Sequence, residues 1–120
     1  TLYNELRERS PDLALRLFAP FATDRRGEVL AGQKPYFTIP VFNWYADALS
    51  AIYQRQYIDS AQRFADAPRL TPADISALDL LDALTDDPAL HLTMKLERGD
   101  LQFVHNHTLL HDRTSFDDFP

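Results

Sequence analysis

A domain that is mainly β with helices, an α+β arrangement, is what this 120-residue sequence predicts. Three patterns carry that prediction. Aromatic and β-branched residues crowd the stretch 35–57, apolar and polar residues alternate from 92 to 105, and apolar side chains recur at helical spacing from 75 to 84.

The first element is a short amphipathic helix over 2–9, where Leu2 and Leu6 lie among Glu5, Arg7, Glu8 and Arg9. Ser10-Pro11-Asp12 then supplies a cap, a first-turn proline and an acid, so a second helix follows with Leu13, Leu17 and Phe18 on its buried side. In 35–57, Tyr36-Phe37-Thr38-Ile39 and Val41-Phe42-Asn43-Trp44 read as strands interrupted by Pro40, which suits an edge or a bulge. Residues 49–58 read as the partner strand across a hairpin link at 45–48. That link lacks an Asn-Gly or Asp-Gly pair, so the sequence leaves its register open.

Thr71-Pro72-Ala73-Asp74 opens a helix with a capping hydroxyl, a proline at the first helical position and an acid three residues on. Ile75, Leu78, Leu81 and Leu84 carry its core face, making 71–87 a helical insert. Beyond it Leu92, Met94 and Leu96 alternate with Thr93, Lys95 and Glu97, a half-buried strand that turns at Arg98-Gly99-Asp100 before Leu101, Phe103 and His105 resume the alternation. No internal repeat or low-complexity segment is found.

These patterns give roughly five or six strands and three helices, whereas a closed jelly roll needs about eight strands. The shortfall predicts part of a jelly roll, an incomplete domain with an open strand edge. A start at Thr1 in helix-like sequence, with no initiator Met or signal region, and a stop at Pro120 are read the same way, as an excerpt of a longer protein.

Composition removes several functions. Twelve Lys+Arg against 18 Asp+Glu give a net charge of −6, and no stretch sets basic residues beside aromatics, so nucleic acid is not expected as a partner. No apolar run approaches the ~20 residues of a bilayer crossing, so no membrane partner is expected and a soluble, cytoplasmic chain is. Cysteine is absent, which excludes disulfides, thiolate metal sites and a thiol nucleophile. The three glycines, Gly27, Gly32 and Gly99, are too dispersed for a dinucleotide fingerprint or a phosphate loop. Arg98-Gly99-Asp100 spells an adhesion tripeptide, but a Gly-Asp turn is required there in any case.

The chemistry concentrates near the C-terminal end. His105, His107 and His111 lie within seven residues and share one face if a strand runs through them. Imidazoles suit Fe, Zn, Cu or Ni, and without cysteine the expectation moves to a nitrogen and oxygen site. The alternative is three hydrogen-bonded histidines at a strand end. Tyr53, Arg55 and Tyr57 alternate along 49–58, where a guanidinium between two phenols suits an anionic substrate group; a solvated cross-strand ladder is the other reading.

The run Gly99-Asp100-Leu101-Gln102-Phe103-Val104-His105-Asn106-His107-Thr108-Leu109-Leu110-His111-Asp112-Arg113-Thr114-Ser115-Phe116 resembles the C-terminal signature of the taurine dioxygenase-like (TauD/TfdA) family of Fe(II)- and 2-oxoglutarate-dependent oxygenases. That signature has a Gly-Asp turn, an apolar strand, an Asn-containing step and Leu-His-x-Arg with an aromatic residue following. The resemblance is densest over about twenty residues and extends loosely over most of the chain. It implies a jelly-roll oxygenase that hydroxylates a small molecule, anionic or zwitterionic, with dioxygen while 2-oxoglutarate is decarboxylated to succinate.

The resemblance makes His111 the distal histidine of a two-His, one-carboxylate iron site. It puts Arg113 and Asn106 beside the cofactors, with a structural ion pair or strand-end hydrogen bond as the other reading of Arg113 and a turn-stabilising amide as that of Asn106; Tyr53 and Arg55, from the alternation above, are the candidate substrate-binding residues. The family's His-x-Asp or His-x-Glu pair has no counterpart here, since His91 precedes Leu92-Thr93 and His105 precedes Asn106-His107. Its 2-oxoglutarate-gripping Arg falls past Pro120, so the excerpt alone is expected to be inactive.

A second resemblance is to the first motif of cupins, through Gly99, His105-x-His107 and a ligand position at 111. A cupin has Glu at that position and a glycine where Asp118 stands. A metal-free jelly roll serving as a binding module is the remaining alternative.

Overall fold

The computed structural model describes residues 1–113, so Thr114, Ser115 and Phe116 of the signature lie outside the described residues. Helices α1 (Leu2–Arg9), α2 (Pro11–Arg16), α3 (Arg55–Ala61) and α4 (Pro72–Thr85) accompany strands β1 (Pro20–Asp24), β2 (Tyr36–Pro40), β3 (Phe42–Tyr45) and β4 (Ala48–Ala51). The strands form two antiparallel pairs, β1 with β2 and β3 with β4. This is a small α+β unit. No helix among the described residues is long and apolar enough to cross a membrane.

Helices α1, α2 and α4 pack on one another around Leu6, Leu17, Leu78, Leu81 and Leu84, all fully buried. Apolar burial of this kind is the main stabilising term of such a small unit. Edge-to-face contacts of Tyr3 with Phe18 and Phe42, at centroid distances of 5.9 and 5.6 Å, carry the cluster onto β3. Phe42 N–H donates to the Leu17 carbonyl at 3.0 Å, tying β3 to the end of α2.

Both N-terminal helices form where their spacing and proline signals put them, although the Ser10 side chain makes no capping hydrogen bond. Helix α4 begins with a complete capping box. Asp74 N–H donates to Thr71 Oγ1 at 3.2 Å, and Thr71 N–H donates to the Asp74 carboxylate at 2.8 Å. Its Leu78, Leu81 and Leu84 are buried as expected, but Ile75 is 42% exposed because it lies off the stripe that faces α1 and α2.

The expected hairpin is present, with register Phe42↔Ala51 through Tyr45↔Ala48. Its two linking residues, Ala46 at φ 47° and Asp47 at φ 62°, take the left-handed conformation that Asn-Gly adopts without strain.

Several expectations need correction. The strand expected over 49–58 stops at Ala51, and Arg55 begins a helix. The Gln54 carbonyl accepts from Tyr57 and Ile58 N–H, and Ile58 and Ala61 bury at helical spacing, so a helical face wins over the β preference of Tyr and Ile. Strand β1, which the sequence reading did not include, pairs with β2 from Pro20↔Pro40 to Asp24↔Tyr36. Among the described residues neither 92–96 nor 101–105 forms a strand. Apart from half-buried Val104 their side chains are exposed, Leu92 by 90% and Phe103 by 92%, since alternation makes a strand only where a neighbouring strand completes the ladder. The turn between them is formed: Asp100 N–H donates to the Glu97 carbonyl and Glu97 N–H to the Asp100 carboxylate. The described residues therefore hold four strands and four helices rather than five or six and three, and they do not show a jelly roll.

Candidate functional site

The His-containing segment runs along the edge of the β3–β4 hairpin. Ala51 N–H donates to the His107 carbonyl at 2.7 Å, fixing the segment to the end of β4. A turn at 106–108 follows, in which the His105 carbonyl accepts from Thr108 and Leu109 N–H at 3.0 and 3.1 Å. Asn106 sits in this turn. The turn replaces the expected strand, so positions 105, 107, 109 and 111 do not share a strand face.

The three histidines consequently differ. His105 Nδ1 lies 3.0 Å from Thr108 Oγ1, and the His105 and His107 rings meet edge to face at 6.2 Å beside an apolar groove walled by Val41, Leu49 and Ile52. His111 lies in a separate open cavity with Gln54, Leu96, Gln102, Asp112 and Arg113. Neither ring nitrogen of His111 has a hydrogen-bond partner among the described residues. Imidazole nitrogens left open toward a cavity are what metal ligation requires. Among the described residues no three His, Asp or Glu side chains converge into a metal site. Asp112 turns its carboxylate back to accept the Arg113 N–H at 2.7 Å.

Tyr53 and Arg55 are brought together, but on a helix start rather than along a strand. The Tyr53 hydroxyl donates to the Asp82 carboxylate on α4. Arg55 donates to Asp59 at 3.0 Å on its own helix and to Asp79 and Asp82 at 2.8 and 2.6 Å on α4. Burial and the bond to Asp82 both push the Tyr53 phenol up, so it stays protonated. Burial opposes the Arg55 charge, but the hydrogen bonds to Asp79 and Asp59 outweigh it and keep the guanidinium charged. Tyr57 points elsewhere, its ring under the Arg26 guanidinium at 5.3 Å.

Two groups escaped the sequence reading. One is the pair Gln54 and Gln102, which line the same cavity as His111; the only local signal was that Gln54 lies between Tyr53 and Arg55, and Gln102 within the signature. The other is Asp24, 1% exposed, which accepts from Ser60 Oγ and the Arg26 N–H and pairs with Arg63 at 3.0 Å, locking β1 to α3. The Ser60 bond, aided by Arg26 N–H and Arg63, holds the Asp24 carboxyl below its ordinary range against burial.

The family model described as taurine catabolism dioxygenase TauD, TfdA family, matches residues 1–119. The chain is also similar to the FR-33289 synthase of Streptomyces rubellomurinus (strain ATCC 31215), 30% identical over 120 residues, covering 98% of this chain and 34% of that protein. It is similar as well to a uridine-5'-phosphate dioxygenase of an Amycolatopsis species, 33% identical over 119 residues, covering 98% of this chain and 42% of that protein. The chain thus spans well under two thirds of the length of the curated relatives it matches.

Proposed function

Since the chain belongs to the taurine catabolism dioxygenase TauD, TfdA family, we propose that the protein it forms part of is an Fe(II)- and 2-oxoglutarate-dependent dioxygenase that hydroxylates a small molecule. In this reading residues 1–120 are the C-terminal portion of one jelly-roll domain, with 71–87 as a helical insert. The exposed apolar alternation of 92–105 supports it, because those side chains have the pattern of strands and lack only neighbours.

The observation that carries the proposal is His111, whose imidazole faces a cavity with both nitrogens open, in a chain matched almost end to end by an oxygenase family. His111 is the residue that would hold iron. Bound iron with 2-oxoglutarate would supply the oxidising power for attack on a C–H bond. The chain's own share is positional. The 106–108 turn, with Asn106 in it, anchors the segment on β4, and Arg113 borders the same cavity as the side chain for a carboxylate of the cosubstrate. Tyr53 and Arg55, already bound to α4 carboxylates, support the cavity wall rather than an anion. A nucleotide-like substrate is the class favoured by the dioxygenase relative that acts on uridine 5'-phosphate.

Full-length protein with Fe(II), ascorbate and 2-oxoglutarate is expected to form succinate. His111→Ala is expected to lower that turnover by at least ~100-fold and to weaken Fe(II) binding measured directly, as loss of a ligand requires. Wild-type iron affinity and turnover in the variant would overturn the assignment.

A further inference from the structure

We infer that Gln54 and Gln102 form a pair of carboxamides that reads a neutral donor–acceptor edge of the substrate, an amide or imide, beside His111. This rests on the dioxygenase reading for its reaction but on separate residues for its ligand.

Both glutamines line the cavity that holds His111. The Gln54 side chain has no hydrogen-bond partner among the described residues, and Gln102 offers its amide only to the Met94 sulfur at 3.5 Å, a weak acceptor that a carbonyl displaces readily. A carboxamide presents an N–H donor and a C=O acceptor side by side. The matching surface on a ligand is therefore another acceptor–donor edge, the geometry by which Gln and Asn read bases. Leu96 adds an apolar contact suited to the face of a flat ring.

Gln54 is also held in place from both sides. Its carbonyl accepts from Tyr57 and Ile58 N–H at 3.0 and 3.3 Å, opening α3. Its neighbours Tyr53 and Arg55 are fastened to Asp82, and Arg55 to Asp59 and Asp79 as well. A recognition side chain on a fixed backbone loses less freedom on binding than one on a loose loop. Tyr53 and Arg55 are thus positioning residues for Gln54.

The test uses full-length protein with Fe(II) and 2-oxoglutarate under anaerobic conditions, titrated calorimetrically with uridine 5'-phosphate, which carries an imide edge, and with its N3-methyl derivative, which lacks the donor. Uridine 5'-phosphate is expected to bind about 10-fold more tightly than the methylated ligand, the size of one or two lost hydrogen bonds. Gln54→Leu and Gln102→Leu are each expected to weaken uridine 5'-phosphate about 10-fold and to erase the preference, with thermal melting verifying that each variant is folded. Equal binding of the two ligands by the wild-type protein overturns the inference whatever the variants do. So does failure to bind uridine 5'-phosphate in a protein that still turns over 2-oxoglutarate, an outcome that leaves the dioxygenase reading intact. Discrimination between the ligands without iron binding or succinate formation does the reverse.

Discussion

The region over 1–85, which holds the four helices and both strand pairs of the described residues, and the segment 91–113 carry comparable apolar patterning, yet one is a packed core and the other lies open. In the first, Leu6, Leu17, Leu78, Leu81 and Leu84 are fully buried against each other. In the second, Leu92, Leu101 and Phe103 face solvent although their alternation is regular. The difference teaches that a helix closes its own hydrogen bonds and needs only a face to bury, whereas a strand needs another strand before its pattern has any effect. The proposed ligand His111 sits on the second kind of segment, which a turn and one backbone bond hold to β4.

The largest effect expected separates these two regions. Leu81→Ala should cost about 2–5 kcal/mol by urea unfolding. Phe103→Ser should change the stability of the 120-residue chain by less than about 0.5 kcal/mol, as for an exposed site. In the full-length protein the same Phe103→Ser should cost about 3 kcal/mol if the missing neighbours bury it. A silent substitution there would refute the proposal that 92–105 completes a jelly roll.

Acid should act on the packed region first. Asp24 and Asp74 both have folded-state pKa values lowered, Asp24 mainly by Ser60, and Asp74 because Arg16 and Thr71 outweigh the effect of burial. A lowered carboxylate stabilises the fold fully above its unfolded pKa of about 4 and ceases to do so as pH falls through the folded value. Stability should therefore drop below about pH 4, and Asp24→Asn should flatten that drop in a pH series of melts. An unchanged acid limb in Asp24→Asn would remove Asp24 from this account.

The smallest effect concerns a single cap. Thr71→Ala removes the hydroxyl that accepts the Asp74 N–H and should cost about 1 kcal/mol, read as a shift in urea midpoint at constant slope. Because α4 also supplies Asp79 and Asp82 to Arg55, the substitution should leave the His111 cavity wall in place if packing, and not the cap, positions α4.

What could be read locally was read correctly where the interaction is itself local. The Thr71 and Asp74 capping box, the Pro11 helix start and the 45–48 link each depend on residues within a few positions. Helix α3 shows the limit. Tyr53, Arg55 and Tyr57 alternate as a strand would, but Arg55 and Asp59 also lie at helical spacing, and carboxylates of α4 more than twenty positions away stabilise the helical choice. Strand β1 was missed for a related reason, since Pro20-Phe21-Ala22-Thr23-Asp24 is short and gains its order only from β2 and from the contact of Asp24 with α3.

The sequence by itself determined the starts of α1, α2 and α4, the turn at Gly99, the family signature and the candidacy of His111, because caps, turn residues and motif spacing are properties of consecutive residues. Only the tertiary structure decided that Arg55 faces carboxylates, that His105 is occupied by Thr108 while His111 is open, and that two glutamines forty-eight positions apart meet in one cavity. Those outcomes depend on which distant side chains arrive at the same place. That is fixed by packing and hydrogen-bond completion across the fold, not by order along the chain.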